Sequence, residues 1–295
     1  MAYAPHAWKS QHEWFFHKRH HIFVKEAGQG PTLLLLHGFP TSSWDYHLLW
    51  PELVRHFRVL APDFIGFGFS DKPRRYRYSL HDQADMVELL LRAKGVKRYA
   101  ILAHDYGDTV AQELMWRTRW RTKQGVATPA LAGVVLLNGG IVPGLHRPRL
   151  VQHLMASPLG PLLLPFWNKG TLRRTFRRIF GESQPPDDGL IDAFWQLITH
   201  NQGKRVLPRL IGYMRERMEH RTRWVDVLQH PPCPLVHLNG VEDPISGAHI
   251  ADWMERHSPA TVVRLEGIGH YPQVEAPERV LAHVLPVLRQ WVGEE

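Results

Sequence analysis

AILAHDYGDTVAQEL, residues 100–114, decides the fold. An apolar strand-like run, Ala100 to Ala103, stops at His104, Asp105, Tyr106 and Gly107, and a helix-forming segment follows. A nucleophile elbow needs this pattern: strand, tight turn, helix, with small residues (here Ala103 and Gly107) so that strand and helix can pack closely. Asp105 falls at the tip, where the helix N-terminus favours a negative charge. With a reference pKa of about 3.9, it needs no base to ionise it at neutral pH. Attack by a carboxylate on an acyl carbon gives an unstable mixed anhydride. Attack on an sp³ carbon with a leaving group gives an ordinary alkyl ester. Epoxides and carbon–halogen bonds are therefore its natural electrophiles.

Outward from the elbow, apolar runs alternate with helical patterns. TLLLLHG (32–38), FRVLAPDFIGFG (57–68) and LAGVVLLNGG (131–140) each end in glycine-containing loops, as buried parallel strands do. Residues 79–95 carry apolar positions at helical spacing, with Ser79 as N-cap and Gly95 as stop. Residues 14–25 suggest strands joined by a polar turn. Strand–helix alternation predicts an α/β fold with a mostly parallel sheet flanked by helices. Between residues 141 and 232 the pattern changes to helices and proline-rich connections, and strands resume at PLVHLNG (234–240) and TVVRLEG (261–267). This predicts a core formed by residues 1–140 and 233–295 and an inserted helical cap over 141–232.

An alkyl ester must be cleared by water, which needs a base and an oxyanion site. His270, in EGIGHYPQVEAPE, follows the last predicted strand and is the candidate base. Asp243, in NGVEDPIS, is the candidate that orients it, with Glu242 as the alternative. The oxyanion donors would be the backbone N–H groups of Tyr106 and of Phe39 in HGFP. His37 and His104 are expected to shape their loops, with His37 also a candidate substrate contact. Asp108 either favours the helix N-terminus or adds a second negative charge to the site.

The composition bounds the rest. A formal charge of +8 and a pI of about 9.7 arise largely in RRTFRRIF (173–180) and RERMEHRTRW (215–224), read as solvated arginine-rich helix faces. No nucleic-acid motif accompanies them, so no nucleic-acid partner is expected. The single cysteine, Cys233, permits no intrachain disulfide and reads as a small buried residue. No apolar run is long enough for a membrane span, and the first residues lack a signal core. The expectation is a soluble, cytoplasmic protein without stable membrane insertion. The histidines of HKRHH (17–21) read as an exposed turn, and no metal or organic cofactor is implied.

HGFPTSSWDYHLLWPEL, APDFIGFGFSDKP, AHDYGDTVAQEL, NGVEDP and GIGHYPQVEAPE together resemble the α/β-hydrolase superfamily, in its epoxide hydrolase and haloalkane dehalogenase branch. HDYGDTVAQEL followed by LLNGGIVPGLHRP resembles the mesoderm-specific transcript group of that branch, which shares Asp108. The resemblance implies a catalytic set of Asp105, Asp243 and His270. Haloalkane dehalogenases hold the halide with a Trp after the nucleophile and a second side-chain donor, where this sequence has Tyr106 and Phe39. Epoxide hydrolases use two cap tyrosines to protonate the epoxide oxygen. Tyr213, in LIGYMRERM, resembles the second of these, and the first has no counterpart; His146, His153 and Trp167 are substitutes to consider. The expected activity is epoxide hydrolysis of a small apolar electrophile, with dehalogenation as the alternative. A third reading is a non-catalytic hydrolase-fold protein that uses PLGPLLLPFW (158–167) for interaction. Burial of that run would count against it.

Overall fold

The computed structural model describes residues 3–147, 155, 157 and 160–293. Among the described residues, eight strands form one sheet: β1 (His12–His17), β2 (His20–Ala27), β3 (Thr32–Leu36), β4 (Arg58–Pro62), β5 (Arg98–Ala103), β6 (Ala130–Leu136), β7 (Leu235–Gly240) and β8 (Thr261–Leu265), in the order β1-β2-β4-β3-β5-β6-β7-β8. The β1–β2 hairpin turns at Lys18 and Arg19, both at positive φ, and β2 runs antiparallel to β4. Every other pairing is parallel.

The unbroken apolar runs follow from burial on both faces. In β3, Leu34 and Leu36 enter one core while Leu33 and Leu35 enter the other. In β5, Ile101 and Ala103 divide from Ala100 and Leu102 in the same way. Side chains that alternate across a strand leave no polar face when helices cover both sides. Each fully buried leucine stabilises by roughly 1.5–3 kcal/mol. The helix Leu80–Ala93 starts where the sequence indicates: the Ser79 hydroxyl accepts from the Asp82 N–H, and Gly95 ends it at φ 65°.

Between β6 and β7 the described residues form helices and no strand. This insertion lies over the C-terminal ends of the strands, since Arg217 from it reaches Asp105 just after β5 and Tyr213 packs edge-on against Tyr106. Within PLGPLLLPFW, Pro158 and Leu159 lie outside the described residues, as does His153. Leu162 and Phe166 are exposed, whereas Trp167 is buried. The run is therefore not buried as a whole, and the interaction reading is not dismissed on that ground. Cys233 is only partly buried, and burial pushes its thiol up to about 12. No helix among the described residues is long and apolar enough to cross a membrane.

Candidate active site

Asp105 sits between β5 and the helix Tyr106–Lys123 with φ 46° and ψ −102°, a conformation few non-glycine residues adopt. The surroundings enforce it. A Cβ on Gly107 would lie 2.2 Å from the Leu36 carbonyl oxygen, and one on Gly139 would lie 2.9 Å from the Asp105 Cα. Strain of this kind persists only where packing over-determines it, and it turns the carboxylate out at the top of the sheet.

The Phe39 N–H donates to Asp105 Oδ2 at 3.2 Å. Tyr106 opens the helix, so its N–H is one of those without an intrahelical partner. The other carboxylate oxygen, Oδ1, faces Arg217: its Nη2 lies 3.4 Å from Oδ1 and donates to the Asp105 carbonyl at 2.9 Å. Arg217 Nε donates to Thr109 Oγ1 at 2.8 Å, and its guanidinium lies 4.5 Å over the Tyr213 ring. Burial alone would raise the Asp105 pKa. The charge of Arg217, then that of His270, outweighs burial and holds it below the usual carboxylate value.

His270 Nδ1 donates to Asp243 Oδ2 at 2.7 Å. The Asp243 carboxylate also accepts from Ser246 Oγ at 2.6 Å, the Ile245 N–H at 2.8 Å and Asn138 Nδ2 at 3.1 Å. Glu242, the alternative to Asp243, instead accepts from the Glu182 N–H. Burial opposes a charge on His270, but Asp243 and then Asp105 overcome it and raise its pKa to about 9. Asp243 is held below its usual value against burial, chiefly by His270. Two further groups fix the histidine loop. His104 Nε2 donates to the His270 carbonyl at 2.8 Å, with burial holding its pKa near 4 and the ring neutral. Glu275 accepts from the N–H groups of Gly181, Gly269 and Tyr271 at 2.7–2.8 Å, tying the loop to the insertion.

Asp105 and His270 open onto a cavity whose wall is largely apolar, with Phe39, Trp167, Phe176 and Ile211 prominent. Its other polar contributors include Tyr213, Arg217, His146 and Thr175. Tyr213 is buried and edge-on to Tyr106, 5.2 Å between ring centres. Burial and the Asp105 charge hold its phenol well above the usual tyrosine pKa. His37 is a correction to the expected substrate contacts. It is fully buried outside the cavity, where Nδ1 donates to the Gly38 carbonyl and Nε2 accepts from the Phe64 N–H. Burial lowers its pKa to about 3, so it is a neutral loop staple. Arg217 corrects the expectation for 215–224. Arg215 on that stretch is solvated, but Arg217 is 2 % exposed.

Residues 33–283 match the family model described as "Alpha/beta hydrolase family". The chain belongs to the alpha/beta hydrolase family. It is 38 % identical over 286 residues to the mesoderm-specific transcript homolog protein of Bos taurus, covering 93 % of this chain and 84 % of that one. The solved epoxide hydrolase CorEH superposes with a TM-score of 0.76 at 18 % identity, covering 95 % of this chain and 98 % of that one. The haloalkane dehalogenase DatA of Agrobacterium tumefaciens superposes at 0.78 with 17 % identity, covering 95 % and 96 %. At those identities the two structures speak to the fold of this hydrolase alone.

Asp108 in this hydrolase is fully buried, and neither carboxyl oxygen has a well-formed hydrogen bond. Burial, then the neighbouring Asp105 charge, push its pKa well above the ordinary value, which favours the neutral acid. An unfolded chain would release that proton at about pH 4. The folded state therefore loses stability as pH rises above that point, until the raised pKa is reached. Asp108→Asn removes this loss. Its melting temperature relative to the wild type is expected to increase as pH rises above about 4, by scanning calorimetry. A constant difference across that range would mean that Asp108 is ionised in the fold.

Proposed function

We propose that this hydrolase opens epoxides through an alkyl ester on Asp105 and then hydrolyses the ester to a diol. The observation that carries the reading is the state of Asp105. It is a buried carboxylate kept ionised, with Oδ2 engaged by the Phe39 N–H and Oδ1 facing Arg217, on a residue that lines the cavity. In the first step an Oδ1–carbon bond forms and the epoxide carbon–oxygen bond breaks. The electron pair passes to the epoxide oxygen, which takes the Tyr213 phenol proton. Arg217, over the Tyr213 ring, is the second electrophilic group that the sequence lacks as a tyrosine.

In the second step His270 removes a proton from water, and the hydroxide adds to Cγ of the ester. The oxyanion is received by the N–H groups of Phe39 and Tyr106. Collapse expels the alkoxide, which takes the proton of the added hydroxyl and leaves as the diol. Asp105 is restored as the carboxylate, and the proton held on His270 returns through solvent to the Tyr213 phenolate. A base must be neutral to act, and in the resting site the charges of Asp243 and Asp105 keep His270 protonated at neutral pH. Ester formation removes the Asp105 charge. It thereby lowers the His270 pKa at the moment a base is required.

Dehalogenation of an anionic halogenated substrate is the second reading, favoured by one observation: Arg217 is a buried cation beside the nucleophile. His270→Gln separates the two. It is expected to leave attack possible and block deacylation, so the ester accumulates. Intact-mass measurement after exposure to an epoxide panel should give an adduct equal to the whole epoxide, mapped to Asp105. An alkyl adduct without halide, formed only from haloalkanes or haloacids, would replace the first reading by the second. No adduct on folded protein from either panel would sink both.

A further inference from the structure

A different cluster joins the insertion to the core, outside the cavity described above. His81, Glu216 and His220 each offer a ligand atom within 4.8 Å of those of the other two, and all three are half-buried. Among the described residues it is the one such group of three. Glu216 lies in the helix Tyr213–Glu219 and His220 follows four positions later, a spacing that puts two side chains on one helical face. His81 comes from the first turn of the helix Leu80–Ala93 in the core.

The surroundings resemble a metal site's outer shell. Glu113 lies 3.1 Å from His81 Nδ1, and a carboxylate on one ring nitrogen orients an imidazole for binding through the other. Glu113 is itself fixed by the Trp224 indole N–H at 2.9 Å. Glu216 is oriented by the Leu80 N–H, which donates to Oε2 at 2.8 Å. The nearby cations are matched. Arg117 Nε is 2.8 Å from Glu113, with Asp85 and Glu88 on its Nη1, and Arg223 Nε is 3.5 Å from Glu113.

We propose that His81, Glu216 and His220 bind a borderline divalent transition metal, Zn²⁺ by ligand class, with water as fourth ligand. Two imidazoles and a carboxylate are a standard zinc donor set. Tetrahedral coordination requires the ligand atoms to close to roughly 3.3 Å apart, given Zn–ligand bonds of about 2.0–2.1 Å. Binding therefore requires the three side chains to rotate toward one another. The metal would tie to the core the helix that carries Tyr213 and Arg217 into the active site. It takes no part in the chemistry proposed for Asp105, and it is distinct from the HKRHH tract.

Titration of the metal-free protein with Co²⁺, followed by visible d–d absorption, tests the site, with Zn²⁺ then competing. One equivalent should give a tetrahedral-type band that Zn²⁺ abolishes. Zn²⁺ should also raise the melting temperature, because it binds the folded state. His81→Asn and His220→Asn should each weaken binding at least ~10-fold and remove the thermal shift. Either variant suffices if circular dichroism shows it folded. Equal binding by wild type and variants would assign the metal to other histidines and overturn the proposal. Absence of both the band and the thermal shift in the wild type would also overturn it.

Discussion

Asp105→Asn is expected to abolish adduct formation in the His270→Gln background and to lower turnover by roughly 10⁴–10⁶-fold, the range seen when one member of a catalytic triad is removed. The substitution is nearly isosteric, and asparagine is among the residues that tolerate positive φ, so the elbow should hold its shape. The amide, however, is not a nucleophile at sp³ carbon under these conditions. It also cannot balance Arg217, which is left as a buried unpaired cation. Stability should therefore fall along with activity, and folding must be checked in parallel. Mass spectrometry of the double variant separates the two effects. A folded Asp105→Asn, His270→Gln protein that still acquires the adduct would place the nucleophile elsewhere.

Much of this arrangement is legible in the chain because its signals are local. The elbow is one continuous stretch in which Asp105 stands between a buried strand and a helix start, and Gly107 marks the close approach to β3. His270 and Asp243 each follow a strand directly, so the sheet brings them to one end once the strand order is fixed. Arg217 was illegible for the opposite reason. Its partner lies 112 residues away, and its neighbours Arg215, Glu219 and Arg221 give the stretch the look of a solvated helix face. One helix presents Arg215 to water and Arg217 to Asp105, and composition cannot divide them. Glu275 was likewise hidden. It stands in a motif quoted for the family, but the three backbone N–H groups it accepts from converge only when the insertion and the histidine loop are folded together. His37 failed in the other direction: a histidine at a strand end suggests a site, yet both its ring nitrogens are spent on loop backbone.

Arg217→Met is expected to slow ester formation by about 10²–10³-fold at neutral pH, comparable to loss of an oxyanion donor, and Arg217→Lys should recover part of it. Two contributions are separable by pH. The first concerns the nucleophile. Asp105 is held below its usual pKa although burial pushes it up, and Arg217 is the largest opposing influence. Without it, the opposition to burial weakens and the carboxylate gains a proton at higher pH. The acid limb of adduct formation in the His270→Gln background should therefore move upward in Arg217→Met. The second concerns the leaving oxygen. As the ester forms, negative charge leaves Asp105 and appears on the epoxide oxygen. Arg217 loses its partner as a new anion arises nearby, and its interaction follows the charge across the reaction. That stabilisation is realised as charge develops, which is what lowers a barrier. At a pH high enough to ionise Asp105 fully, the remaining deficit of Arg217→Met measures this second contribution. A rate that recovers completely there would confine Arg217 to keeping Asp105 charged. A uniform loss without any movement of the acid limb, unrelieved by lysine, would reduce it to a packing role.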